Sequence, residues 1–212
     1  KRFPAALDER NPAAWATRSA YSVHMPVSMA GYLAPGYFTA CVVREPIERT
    51  VSPLRHLASM PGRPDHIEAV YDMPEIRDRL RNYQTRLFAM TPQDYLRELS
   101  PTAPPESLDP ELLRRELTAT WGTGIADRNP VDDSALAAAK AAADGLDLIG
   151  QSNELDRFVE RLGDLTGVPL PSVSHRNRSA NRGEVTDLLH RQIADDMALD
   201  LALIEHIRTA NR

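Results

Sequence analysis

Residues 37–46 read Tyr-Phe-Thr-Ala-Cys-Val-Val-Arg-Glu-Pro, and no other stretch narrows the possible folds as much. Aromatic and β-branched side chains dominate the first seven positions, which favours a buried strand. Arg44 ends the run. Pro46 has no N–H to give to a sheet, but its fixed φ suits the first turn of a helix. Glu45 and Glu48 then lie where a helix dipole favours negative charge. The segment therefore predicts a strand, a sharp junction at Arg44, and a helix reaching about Leu57 to Met60, where Pro-Gly-Arg-Pro-Asp (61–65) stops it. A strand feeding directly into a helix is the unit of an α/β fold.

The rest of the chain is mostly helical in pattern. Asn11 and Pro12 are placed as N-cap and first residue of a short helix. Over residues 73–90, Ile76, Leu80, Tyr83 and Leu87 are spaced four, three and four apart, which predicts one amphipathic helix. Its polar residues Asn82, Gln84, Thr85 and Arg86 point to several sides, so they are not all expected in the core. Residues 92–100 form a shorter helix. Residues 101–110 are a Pro-rich loop, the candidate for a mobile or substrate-facing segment, and another helix starts at Asp109-Pro110. The alanine-rich run 133–144 is a helix by propensity, and residues 146–150 are a short core strand. A helix follows, with Ser152 or Asn153 as N-cap and Gly167 at its end. Residues 185–191 and 193–209 are the closing helices. Few strands and many helices predict an α/β sandwich around a short parallel sheet, in one domain spanning 1–212.

Composition limits the chemistry. At 212 residues with 42% hydrophobic side chains, a sizeable core is available. A net charge of −5 gives no general attraction to nucleic acid, though a local basic pocket is compatible with it. Lys1 and Lys140 are the only lysines, so arginine supplies 23 of the 25 basic residues (25 − 2). Coding bias accounts for that as simply as oxyanion recognition by arginine's planar fork does. Cys41 is the lone cysteine, which rules out an intrachain disulfide and fits a reducing cytoplasm. No run of 18 apolar residues is present, so no membrane span is expected. Nothing resembles HExxH or CxxC, and no metal is expected.

In open α/β sheets, ligands bind beyond the C-terminal ends of strands. Arg44 stands at such an end, and the N-terminus of the following helix faces the same crevice. Ser52 lies about 9 Å along that helix. A guanidinium and a hydroxyl so placed make a clamp for a phosphate monoester. The residues alone admit a second account, in which Arg44 pairs with Glu45 or Glu48 and Ser52 has no special role.

The words of this segment, Val-Val-Arg-Glu-Pro-Ile-Glu-Arg-Thr-Val-Ser (42–52), resemble the 3′-phosphate segment of sulfotransferases that use 3′-phosphoadenosine 5′-phosphosulfate (PAPS). The likeness is to the carbohydrate group that includes the uronosyl 2-O-sulfotransferases. It implies that Arg44 and Ser52 bind the 3′-phosphate and that Pro46 opens the helix. Glu45 stands where the family usually has Asp. Arg49 also matches and is read as structural. Upstream, His24 in residues 22–33 matches the family's proposed base, and a histidine's ordinary pKa of about 6.5 suits that task. His56 and His206 fall in helices, His66 and His190 near helix ends, and His175 in a basic loop. Residues 81–88 resemble the family's N-x-QTR element, and residues 147–171 its V-G-x-x-E-x-hydrophobe strand–helix segment. Residues 175–182 resemble the loop that closes over the nucleotide, so His175, Arg176, Asn177, Arg178, Ser179 and Arg182 become candidate nucleotide contacts. The similarity covers roughly residues 22–57, 80–90 and 146–208.

The resemblance implies a P-loop-kinase-like sulfotransferase fold. It also implies sulfuryl transfer from PAPS to a hydroxyl, with adenosine 3′,5′-bisphosphate as product. The acceptor would be a sugar, a glycolipid or a small metabolite, with neither nucleic acid nor a metal involved. One family part is not found: the loop resembling P-K-T/S-G-T/S that holds the 5′-phosphosulfate. Lys1 is followed by Arg and Phe, residues 121–127 lack a lysine, and Lys140 sits among alanines. With no initial Met, the chain is expected to be preceded by that strand and loop. The alternative is a non-catalytic sulfotransferase-like module that binds a nucleotide or anion.

Overall fold

The structure is a computed structural model that describes residues 26–28, 36–99, 131–168, 170 and 185–210. The elements in order are β1 (Ala40–Val43), α1 (Pro46–Ala58), α2 (Ile67–Tyr71), α3 (Pro74–Leu80), α4 (Tyr83–Ala89), α5 (Pro92–Leu99), α6 (Asp133–Asp144), β2 (Leu148–Gln151), α7 (Leu155–Thr166), α8 (Asp187–Asp196) and α9 (Ala198–Ala210). The described part is thus mixed α/β, mostly helical, around a two-stranded parallel sheet. The strands pair from Ala40 with Leu148 to Val43 with Gln151.

The sheet is pinned where the strands begin. The Asp147 carboxylate accepts the Thr39 N–H at 2.7 Å and its hydroxyl at 2.9 Å, while the Thr39 carbonyl accepts from the N–H groups of Asp147 and Leu148. These bonds hold the Asp147 carboxyl below its ordinary value. Only four residues of the expected strand 37–43 lie in β1. The three before it include Phe38, which is left exposed.

Two apolar clusters make up the core. One joins α1, α2, α3 and α8 through Val51, Leu54, Val70, Tyr71, Ile76 and Ile193. The other joins β1, α4, α6 and α9 through Val43, Phe88, Ala139, Ala143, Leu203 and Ile207. Helix α7 covers β2, and the approach is close: a Cβ on Gly150 would fall 2.7 Å from the Phe158 Cβ. No larger residue fits there without displacing the helix.

The helix expected over 73–90 is two helices. Asn82 adopts the left-handed conformation, φ 45° and ψ 40°, and breaks the run. Asparagine tolerates this region better than most residues. The polar residues assumed too scattered for the core are all buried: Asn82, Gln84, Thr85 and Arg86 are each 8% exposed or less. The break turns the Asn82 and Gln84 side chains toward partners on other elements. The helix ahead of Gly167 also starts later than expected. Ser152 and Asn153 belong to a 3₁₀ turn, and α7 begins at Leu155. Gly167 ends it at φ 68°, as anticipated. The expected helices at 11–20 and after 109, and the loop at 101–110, lie outside the described residues.

Candidate functional site

The junction after β1 is built from its own sequence. Glu45 is the N-cap of α1 and its carboxylate accepts the Glu48 N–H at 2.7 Å. Pro46, at the first position, has no N–H. The Ile47 N–H is then the only first-turn donor without a partner among the described residues. The helix end is consequently a weaker anion seat than its dipole alone suggests, because Glu45 already occupies it. An anion here has to be held by side chains.

Arg44 is the side chain at hand. Its side chain is 43% exposed, and its Nε lies 3.7 Å from the Glu48 carboxylate. Such an exposed pair, four residues apart, is worth only about 0.3–0.5 kcal/mol. The pairing allowed by the second account therefore exists, but it is too weak to hold the arginine against a doubly charged phosphate. Ser52 follows Glu48 by one helical turn on the same face. It is half-buried, and its hydroxyl makes no hydrogen bond among the described residues. Arg44, Glu48 and Ser52 thus form one line running from the strand end along α1.

Arg49 points elsewhere. Its guanidinium stacks on the Tyr83 ring, 3.7 Å from the centroid. Burial pushes it below its ordinary value, and nearby Arg44 pushes the same way, while Tyr83 and Asp200 oppose both. This is the structural role expected for Arg49: it packs α1 against the start of α4.

Beneath Arg44 lies an interlock of buried polar groups. The Arg44 N–H donates to Gln84 Oε1 at 3.0 Å, and Gln84 Nε2 donates to the Arg44 carbonyl at 2.9 Å. The N–H groups of Gln84 and Thr85 donate to the Asp200 carboxylate at 3.1 and 2.6 Å. In return, Asn82 Oδ1 accepts the N–H groups of Leu199 and Asp200 at 3.0 and 3.2 Å. Asp200 therefore caps α4 and Asn82 caps α9, each serving the helix it does not belong to. Burial pushes the Asp200 carboxyl up, against the Thr85 and Gln84 donors and the charge of Arg49.

Of the residues expected at the site, the structure describes Arg44 and Ser52. His24, His175, Arg176, Asn177, Arg178, Ser179 and Arg182 lie outside the described residues. The interlock went unread in the sequence, although one signal was present. Asp200 interrupts an otherwise apolar run, Met-Ala-Leu-Asp-Leu-Ala-Leu-Ile (197–204), and a carboxylate on an apolar helix face demands a partner. Cys41 is inert by the same logic, since burial pushes its thiol up to about 11. Among the described residues there is no group of His, Cys, Asp and Glu able to hold a metal, and no helix is long and apolar enough to cross a membrane.

No protein-family model matches the chain, and neither a curated protein nor a solved structure shows significant similarity to it.

Proposed function

We propose that the protein is a PAPS-dependent sulfotransferase of P-loop-kinase-like fold, acting on the hydroxyl of a sugar, glycolipid or small metabolite. The observation that carries this reading is the state of Arg44: a half-exposed guanidinium at the end of a parallel strand, weakly paired on its outer side and with its main chain held by Gln84. Ser52, one turn beyond Glu48, offers a hydroxyl on the same line. Both groups suit a phosphate monoester, which accepts charge-assisted bonds from each.

In this reading Arg44 and Ser52 hold the 3′-phosphate, and residues 176–179 with Arg182 enclose the nucleotide. PAPS supplies the sulfuryl group. His24 takes the proton of the acceptor hydroxyl as its oxygen bonds to sulfur, while the sulfur–oxygen bond to the 5′-phosphate breaks and leaves adenosine 3′,5′-bisphosphate. The protein contributes position and charge rather than covalent chemistry, as in phosphoryl transfer. A cytoplasmic setting belongs to the same proposal and rests on the lone cysteine.

Incubating the full-length gene product with PAPS and a panel of hydroxyl acceptors, with mass-spectrometric detection, tests it. Turnover is expected, and Arg44→Ala is expected to lower it at least about tenfold at limiting PAPS, the scale of one lost charge-assisted hydrogen bond. Unchanged turnover in Arg44→Ala sinks the reading. Bisphosphate binding without turnover on any acceptor would leave a nucleotide-binding module instead.

A further inference from the structure

The pairing of Gln84 with Arg44 goes beyond filling a buried space. β1 ends at Val43, whose partner on β2 is Gln151. At the next residue the Gln84 amide takes over. It accepts the Arg44 N–H and donates to the Arg44 carbonyl, at 3.0 and 2.9 Å. One side chain thereby satisfies both main-chain groups of a single residue, as a neighbouring strand does at a hydrogen-bonded pair. Glutamine has the donor and acceptor for this in one planar group. The strand's direction is thus imposed on Arg44 one residue past the end of the sheet.

Gln84 is itself held fixed. It is 6% exposed, and its N–H is bound by Asp200. Tyr83, immediately before it, lies under the Arg49 guanidinium. Asn82, two before it, is joined to α9 at Leu199 and Asp200 and gives its own N–H to Met197 Sδ at 3.3 Å. Groups from α1 and α9 therefore hold residues 82–84 in place, and the far end of Gln84 meets the backbone of the exposed arginine.

We propose that Gln84 is a positioning residue for the phosphate-binding arginine: it sets the backbone of Arg44 so that the guanidinium leaves the strand end in the direction of the bound phosphate. This rests on the reading of Arg44 given above. It assigns Gln84 no contact with the ligand.

The test is a double-mutant cycle on the full-length protein, with adenosine 3′,5′-bisphosphate as the titrated probe and every variant assayed well below its own melting temperature. Gln84→Met keeps the length and removes both bonds. In the Arg44 background it is expected to weaken binding about tenfold, because a guanidinium whose backbone is no longer set makes part of its phosphate contact less often. In the Arg44→Ala background Gln84→Met is expected to change nothing further, because no guanidinium is left to position. Equal losses in both backgrounds would mean that Gln84 supports the fold in general, and would overturn the proposal. Wild-type affinity in a folded Gln84→Met would overturn it too. Should Gln84→Met fail to fold, Gln84→Glu keeps the acceptor for the Arg44 N–H and loses the donor to its carbonyl. The same non-additivity with Arg44→Ala is then expected, and additivity refutes it. If Arg44→Ala alone leaves the affinity unchanged, the phosphate assignment falls and this proposal with it. If only the Gln84 arm fails, the assignment stands.

Discussion

At the scale of single residues, the site is a contest between charges. In the proposed reading, Glu48 and the nucleotide's phosphate would compete for the Arg44 guanidinium, 3.7 Å from the carboxylate. Glu48→Gln removes the competitor and is expected to tighten bisphosphate binding about twofold, the value of an exposed ion pair; calorimetric titration would detect it. A second cluster titrates in a predictable direction. Asp196 accepts a bidentate pair from Arg77, at 2.6 and 3.1 Å, and the Tyr71 hydroxyl at 2.8 Å, with Arg81 at 3.8 Å. Burial pushes the Asp196 carboxyl up, but these donors outweigh it, and its pKa lies below the ordinary value. A carboxyl depressed on folding stabilises above its unfolded pKa of about 3.9 and loses that contribution as pH falls through its folded value. Melting curves between pH 7 and pH 2 are therefore expected to show Asp196→Asn less stable at pH 7, with the difference from wild type shrinking in acid. A constant difference would deny the linkage. The placement of Arg44 at a strand end and of Ser52 on the helix that follows was legible in the sequence because it depends on local spacing. Asp196 and Asp200 were not, because their partners lie more than 100 positions away.

At the scale of elements, local chemistry foretold most of the described helices. Asp132 caps α6 through the N–H groups of Ser134 and Ala135, and the helix spans the alanine-rich run as expected. Residues 73–90 misled because their apolar spacing of four, three and four fits one helix as well as two. The choice is made at Asn82, whose left-handed conformation is stabilised by bonds to α9 that no local pattern encodes. Gly150 marks the opposite case, a residue whose smallness has a single cause. Phe158 of α7 lies where any Cβ would go. Gly150→Ala is expected to destabilise the fold by about 1–3 kcal/mol, the usual cost of overpacking. Urea unfolding would measure it, and Phe158→Ala in the same chain should recover part of the loss.

At the scale of the molecule, two apolar clusters meet across a polar seam. Met197 belongs to one and Leu203 to the other, and Asp200 stands between them on the chain. The seam carries the bonds that fix Gln84, and Gln84 carries Arg44. The sequence announced a short parallel sheet among helices, since a strand run and a proline-led helix are local patterns. It did not announce the seam, since reciprocal capping between α4 and α9 exists only once the chain has folded. What this architecture leaves at the surface is a half-exposed Arg44 at the strand end, with Ser52 further along α1, and the account depends on what that arginine holds. Calorimetric titration of the full-length protein with adenosine 3′,5′-bisphosphate asks this directly. Wild type is expected to bind, and Arg44→Ala to bind at least about tenfold more weakly while melting at the same temperature, since a charge-assisted hydrogen bond contributes about 1.5–3 kcal/mol. No binding by the wild type, or equal affinity in the two proteins, would contradict the account.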